Sequence, residues 1–369
     1  MSVEAARKLI EHLDTKIREE ELGNPFFRDP NVKIYPLDKS GFHRIQHTRL
    51  PSKIAFVDGG NQEIAGAPDF SVQLNRVYFG MWDCTERILE RSMPRRIEFF
   101  SSTYSRVTSN QVFYDTSVFP VHEEHRAMIP AETDLSFDSL DRTVTIGTQR
   151  ADIERVASIA RVFAEWQFAT EIVTQELEKG DVLVVDRTLQ TAFKNESKYL
   201  TTLVREAKHK GVIVTGLSKT SALFTDTGSS LMSALGKLAE DCGMGEEWYF
   251  PIAEINRLDH NAMVMGVKLH RDTKRIFRYE IQLEQFKELT EEKVNGIFTH
   301  FVENSSDLSF PGYPYGLIDA DRFARVSLQE VEYYKALILS QLSDAGKWEK
   351  LSRHMRAKDA HDVLNMLIG

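Results

Sequence analysis

Cysteine is scarce in this chain: Cys84 and Cys242 are the only two among 369 residues. Two isolated thiols exclude a disulfide-stapled scaffold and a zinc site built on thiolates, and they fit a reducing compartment. Long apolar runs are missing as well. No stretch of eighteen apolar residues occurs, so no membrane span is expected. The opening Met1-Ser2-Val3-Glu4-Ala5-Ala6-Arg7-Lys8 lacks the apolar centre of a signal peptide. A cytoplasmic location is therefore expected. An excess of positive charge is the third absence. A net charge of -9 excludes a protein that coats nucleic acid with a uniformly basic surface. It leaves room for an enzyme with an acidic site and a local basic groove. Arg91, Arg95 and Arg96, or Arg205, Lys208, Lys210 and Lys219, are candidates for such a groove.

What is present is a soluble composition, 42% hydrophobic and 27% charged, on a chain longer than a typical single domain. No internal repeat or low-complexity linker divides it, so one elaborated domain is expected. Periodicity predicts a helix over about 2–22, followed by a Pro- and Gly-punctuated connector to Pro51. A strand is expected at 53–58, ending in a sharp turn at Asp58-Gly59-Gly60, and another at 70–82. Residues 84–150 read as an insertion with short β-like pieces at 97–100 and 142–146. A helix over 150–179, stopped by Gly180, leads into a strand at 182–186. A helix at 200–209, strands at 211–216, 262–270 and 276–283, and helices at 284–303, 319–342 and 346–368 complete the chain. A helix between two strands matches the crossover that parallel pairing requires.

Two short apolar runs carry the functional signal. Ile54-Ala55-Phe56-Val57 runs into Asp58, and Val182-Leu183-Val184-Val185 runs into Asp186. Runs this apolar and β-branched suit strands buried on both faces. If they are neighbours, both carboxylates meet in one place, an arrangement that suits a divalent metal ion. Further carboxylates are then expected from nearby helices. In the 150–179 helix the apolar stripe centres on Val156, Phe163 and Thr170. Counting 3.6 residues per turn puts Glu171 on its flank and Glu165 further round, so helix geometry favours Glu171. Near the C-terminus, Gly312-Tyr313-Pro314-Tyr315-Gly316-Leu317-Ile318-Asp319-Ala320-Asp321 sets two acids at an expected helix start. Asp319 there suits helix capping, and Asp321 is harder to explain so.

Other motifs carry less. His122-Glu123-Glu124-His125 spaces its histidines three apart where the zinc-protease motif needs four. In Gly211 to Lys219, Leu217-Ser218 separate Gly216 from Lys219, where a phosphate-binding loop needs Gly and Lys adjacent. No GxSxG elbow and no catalytic-cysteine signature occurs.

Several segments in order resemble the NurA nuclease family: IAFVDGG at 54–60, RVFAEWQFA at 161–169, VLVVDRTL at 182–189 and GLSK at 216–219. VKLH at 267–270, FRYEI at 277–281 and GYPYGLIDADRF at 312–323 continue the series. The resemblance implies an α/β architecture: an RNase H-like mixed β-sheet flanked by helices, with the β-rich insertion and C-terminal helices. The nuclease domain would span 51–325, with an N-terminal helix and connector at 1–50 and C-terminal helices at 326–369. It implies a manganese-dependent nuclease, a single-strand endonuclease and 5′-to-3′ exonuclease in DNA end resection at double-strand breaks. It also implies a homodimer docked on a hexameric HerA-type ATPase.

By the resemblance, Asp58 and Asp186 match the family's strand-end aspartates, and Glu165 its helix glutamate, against the helix-face count. Asp321 falls where many members have histidine. An aspartate there would bind metal directly, whereas a histidine would also shuttle protons. Arg187-Thr188 and Gly59-Gly60 replace the family's commoner Gly-Ser and Gly-Ser steps after the two aspartates. The expected catalytic and metal-binding set is Asp58, Glu165, Asp186 and Asp321, holding two Mn²⁺ or Mg²⁺ ions. A two-metal mechanism sets such ions about 3.5–4 Å apart, one activating the attacking water and one stabilising the leaving 3′ oxygen. Lys219 and Tyr313 are expected to hold the DNA strand. The alternative is a catalytically silent subunit that caps or regulates a DNA translocase.

Overall fold

A computed structural model of the chain describes residues 3–16, 22–89, 91–307 and 310–344. The expected helix at 346–368 lies outside the described residues. The chain divides into two compact units. The larger comprises Ser52–Asp186, Gln190–Val214 and the part from Tyr315 on; the smaller comprises the part up to Pro51, Arg187–Leu189 and Thr215–Pro314.

The larger unit is built on a mixed sheet flanked by helices. Its pivotal strand, Ile54–Ala67, pairs antiparallel with Phe70–Asp83 and parallel with Val182–Val185. In the parallel ladder Ile54 faces Val182 and Val57 faces Val185. Ile54–Val57 and Val182–Val185 are all at most 2% exposed, the burial on both faces that their β-branched runs predict. Arg96–Thr108, Gln111–Pro120 and Ser136–Asp138 extend the sheet beyond Phe70–Asp83 by antiparallel pairing. The segment expected as an insertion thus supplies sheet strands. Its expected strand at 142–146 is instead a run of turns, because the Asp141 carboxylate accepts from both the backbone N–H and the hydroxyl of Thr143.

The crossover between the parallel strands is helical, but it breaks into Ile153–Ala157 and Ile159–Gln175. The longer helix buries Phe163, Trp166 and Phe168 completely. It ends at Gln175, short of the expected 179. Gly180 serves the next turn: at φ +95° it donates to the Gly211 carbonyl. Gly211 itself, at φ +73°, ends the helix Glu196–Lys210, and the Val212 N–H returns to the Ala207 carbonyl.

The turn expected at Asp58-Gly59-Gly60 is also corrected. The strand runs on unbroken through both glycines, so Asp58 lies inside it rather than at its end. These glycines answer a packing need. A Cβ on Gly60 would press on the Ala324 carbonyl, and one on Gly59 would collide with the Glu165 carboxylate. Gly316 serves likewise, letting the helix Tyr315–Ala324 lie against the Phe56 ring.

The single helix expected at 319–342 is two, Tyr315–Ala324 and Leu328–Asp344. The break is a capping box: the Ser327 hydroxyl accepts from the Glu330 N–H while the Glu330 carboxylate accepts from the Ser327 N–H. The same logic splits 284–303 into Leu283–Glu288 and Glu291–Asn304, the second capped by Thr290.

In the smaller unit, Trp248–Asn256, Asn261–Lys268 and Phe277–Gln282 form an antiparallel meander, extended by Thr215–Ser218 against Arg278–Ile281. The helix Leu231–Asp241 packs on it through Leu231 and Leu235, against Trp248, Phe250 and Val264. Neither that helix nor the Trp248 strand was expected from periodicity. The N-terminal helix is Val3–Lys16, exposed along its whole length. No helix among the described residues is long and apolar enough to cross a membrane.

One ion-pair cluster ties the C-terminal helices to the sheet of the larger unit. The Arg76 side chain, 5% exposed, donates to Glu98 at 2.8 Å, to Glu330 at 2.6 Å and to the Arg325 carbonyl at 2.6 Å. Donation from Arg76 is the chief cause that holds Glu330 down at about 2, with Ser327 adding and burial opposing. A carboxylate depressed on folding stabilises the fold above its ordinary value of 4.5, and that contribution is lost as pH falls toward 2. The urea midpoint should therefore drop through this window, and Glu330→Gln should flatten the drop. Because Glu330 is 38% exposed, the variant should lose no more than about 1 kcal/mol at neutral pH. Identical acid slopes for the two proteins would refute the assignment.

Candidate metal centre

The parallel register delivers the first two acids together. With Val57 opposite Val185, Asp58 and Asp186 follow at the same level, and the Asp186 N–H donates to the Val57 carbonyl at 3.2 Å. Asp321 joins them from the helix Tyr315–Ala324, which Gly60 and Gly316 admit to the strand at close range. One oxygen from each of Asp58, Asp186 and Asp321 lies within 4.8 Å of the others. Asp58 and Asp186 are half-buried and Asp321 is exposed. A cavity of about 280 Å³ opens beside Asp58 and Asp321, bounded by Asn61 and Arg325.

Glu165 comes from the crossover helix and is 5% exposed. Its carboxylate sits over Gly59, next in sequence to Asp58, and takes an ion pair from Arg161 one turn earlier. Glu171, the residue favoured by the helix-face count, is half-buried elsewhere and binds Gln175 at 2.7 Å. The structure sets Glu165 rather than Glu171 beside the Asp58 strand. The helix is buried nearly all round, and the acid lies among the buried positions.

Arg161 is a residue that sequence reasoning missed. Burial pushes its guanidinium down, and Glu165, with Asp58 and Glu196, more than offsets this, so it stands above its ordinary value. Its Nε also donates to the Asn61 side chain at 3.1 Å. The i, i+4 spacing of Arg161 and Glu165 was the available signal.

Asp319 is not a helix cap, because the helix begins four residues before it. It is 5% exposed and pairs with Arg87 at 3.0 Å; burial raises its pKa against the pull of Arg87 and Arg322. The expected DNA contacts, Lys219 and Tyr313, belong to the smaller unit, with the Lys219 ammonium 5.7 Å from the Tyr313 ring centre. That ring is only 1% exposed and packs on Phe277 and Phe310. The other buried acid on a matched segment, Glu280, is an internal ion pair. Burial alone would raise its pKa, but His260, Arg278 and the Leu189 N–H together hold it low.

The donor set fits a hard divalent cation. Like charges about 4 Å apart repel by roughly 1 to 4 kcal/mol per pair between bulk water and a protein surface, a cost that such an ion reverses. All-carboxylate oxygens suit Mg²⁺ or Mn²⁺ better than zinc.

The sequence profile of the NurA domain matches residues 52–326. The chain belongs to the NurA family. That family is one of nucleases, and the matched range contains all four expected site acids. No curated protein sequence matches this NurA chain. Two solved structures of Endonuclease V are distantly similar. One is the human catalytic domain, 11% identical over 93% of this chain and 99% of that one, with a TM-score of 0.36. The other is the Ciona intestinalis enzyme bound to inosine-containing DNA, 9% identical over 86% and 96%, with a TM-score of 0.35. Argonaute of Aquifex aeolicus aligns at 9% identity over 74% of this chain and 28% of its own, with a TM-score of 0.27. Likenesses this remote carry no weight for the chemistry.

Gly59→Ala tests whether Glu165 belongs to the centre. The new methyl meets the flexible end of Glu165 and the Arg161 stem, so the fold should survive with a loss of about 1–3 kcal/mol. Displacing Glu165 should weaken Mn²⁺ binding in calorimetry by about tenfold. Wild-type Mn²⁺ affinity in this variant would exclude Glu165.

Proposed function

We propose that this nuclease hydrolyses DNA phosphodiester bonds with divalent metal held by Asp58, Asp186 and Asp321, with Glu165 completing the set. The observation that carries the reading is the convergence of three carboxylates from two strands and one helix. A bound Mn²⁺ or Mg²⁺ would supply Lewis acidity toward a phosphoryl oxygen and a more acidic water. The protein's own contribution is to hold the ligands rigidly. Asp58 and Asp186 are fixed by buried backbone on neighbouring strands, so their spacing is set before any ion arrives. Arg161 pairs with the Glu165 carboxylate, which lies over Gly59 next to Asp58. Lys219, beside Tyr313, is the proposed strand contact.

The same reading assigns the chain an RNase H-like nuclease domain over 51–325, two ions of Mn²⁺ or Mg²⁺, and single-strand endonuclease with 5′-to-3′ exonuclease activity. Its proposed setting is DNA end resection in the cytoplasm, as a homodimer with a hexameric HerA-type ATPase. These assignments rest on family membership, to which the carboxylate cluster adds the metal.

Labelled single-stranded and duplex DNA should be degraded in Mn²⁺. An Asp58→Ala, Asp186→Ala double variant should lose at least a thousandfold in rate and its calorimetric Mn²⁺ signal. Undiminished cleavage by that variant would sink the proposal, and a wild-type protein that binds no Mn²⁺ would favour a silent translocase subunit.

A further inference from the structure

The smaller unit carries a cleft of about 1440 Å³. Among the residues lining it are five cations, Lys16, Lys219, Lys237, Lys274 and Arg275, against two carboxylates, Glu240 and Asp241. In a chain of net charge -9, a local excess of positive charge is the opposite of the average surface. The cations come from separate elements. Lys219 follows the strand Ile213–Ser218, Lys237 lies on the helix Leu231–Asp241, and Lys274 with Arg275 precedes the strand Phe277–Gln282. Positive charge spread along a groove suits a row of phosphates better than one anion. The volume also exceeds the roughly 300–1,000 Å³ usual for small-molecule sites.

An aromatic shelf accompanies the charge. Phe310 lines the cleft and is half-buried, stacked on Tyr313 at 5.2 Å between ring centres. The Arg275 guanidinium lies 4.5 Å from the Phe310 ring centre. Planar cation and ring together form a surface on which an unpaired base stacks, and base stacking with a basic track is how sequence-tolerant single-strand binding works. A duplex keeps its bases inside and has no use for such a shelf.

We infer that this cleft is a binding track for single-stranded DNA, with Lys237, Lys274 and Arg275 on the phosphates and Phe310 beneath a base. The choice of DNA as ligand rests on the nuclease reading above, but the track uses none of the metal-site carboxylates.

The test is fluorescence anisotropy of a labelled oligothymidine with full-length protein in EDTA, where no cleavage occurs. Lys274→Glu with Arg275→Glu replaces two exposed side chains and should leave the fold intact. It should weaken binding at least tenfold and lower the slope of log affinity against log salt by about 1.4, two contacts at roughly 0.7 each. Phe310→Ala should weaken binding by fivefold or more with the slope unchanged. Arg205→Glu with Lys208→Glu, exposed on a helix of the larger unit, should do neither. Unchanged binding in both cleft variants would overturn the track, as would an equal loss in the Arg205 control or on duplex DNA. Wild-type protein that binds oligothymidine through the cleft yet cleaves nothing in Mn²⁺ would remove the nuclease reading and leave the track standing.

Discussion

The pairing of Ile54–Val57 with Val182–Val185 is the constraint on which the larger unit depends. Both runs are buried on both faces, so their register is set by packing rather than by a turn. A slip of one residue would send every side chain, the two aspartates included, to the opposite face. Parallel strands also demand a crossover, and the helix that makes it is the one that carries Glu165 and Arg161. The acid-bearing C-terminal helix is then admitted to the same place by the absence of side chains at Gly60 and Gly316.

Much of the centre was legible in the sequence because it depends on local pattern. An apolar β-branched run ending in an acid, twice, with a helix between, gave Asp58 and Asp186 and their parallel pairing. Asp321 was visible as an acid that capping does not explain. What the pattern hid were effects of tertiary contact. Gly59-Gly60 reads as a turn in any one-dimensional account, yet the glycines make room for Glu165 and for the Ala324 carbonyl. Glu165 itself lost to Glu171 on helix-face counting, since an acid among buried positions goes against the amphipathic rule. Helix breaks at Ser327 and Thr290 were written in their capping residues but outweighed by the continuous periodicity around them. The Leu231–Asp241 helix escaped notice although its buried Leu231, Ala234, Leu235, Leu238 and Ala239 keep helical spacing, whereas the Trp248–Asn256 strand is buried along most of its length and shows no alternation.

The acids occur in two arrangements. Glu280 is enclosed by His260, Arg278 and a backbone N–H, and Asp319 is held by Arg87; these carboxylates are matched by cations of the same chain. Asp58, Asp186 and Asp321 converge on one another, and the Arg161 guanidinium also feels the charge of Asp58. Glu165 stands between the two arrangements, adjoining Asp58's strand while bound to Arg161.

The paired glycines also decide what kind of ruler measures the centre. Side chains at these positions would act as cushions, compressible through their rotamers, between the central strand and the two helices that bring acids to it. With hydrogen in their place, the strand meets the Ala324 carbonyl backbone to backbone, and the Glu165 side chain lies directly on the Gly59 main chain. The spacing of the backbones that carry the acids is then gauged by bond lengths and sheet geometry, which give little. An ion taken up there would meet carboxylates whose backbones are already spaced, leaving only side-chain torsions to adapt to its radius.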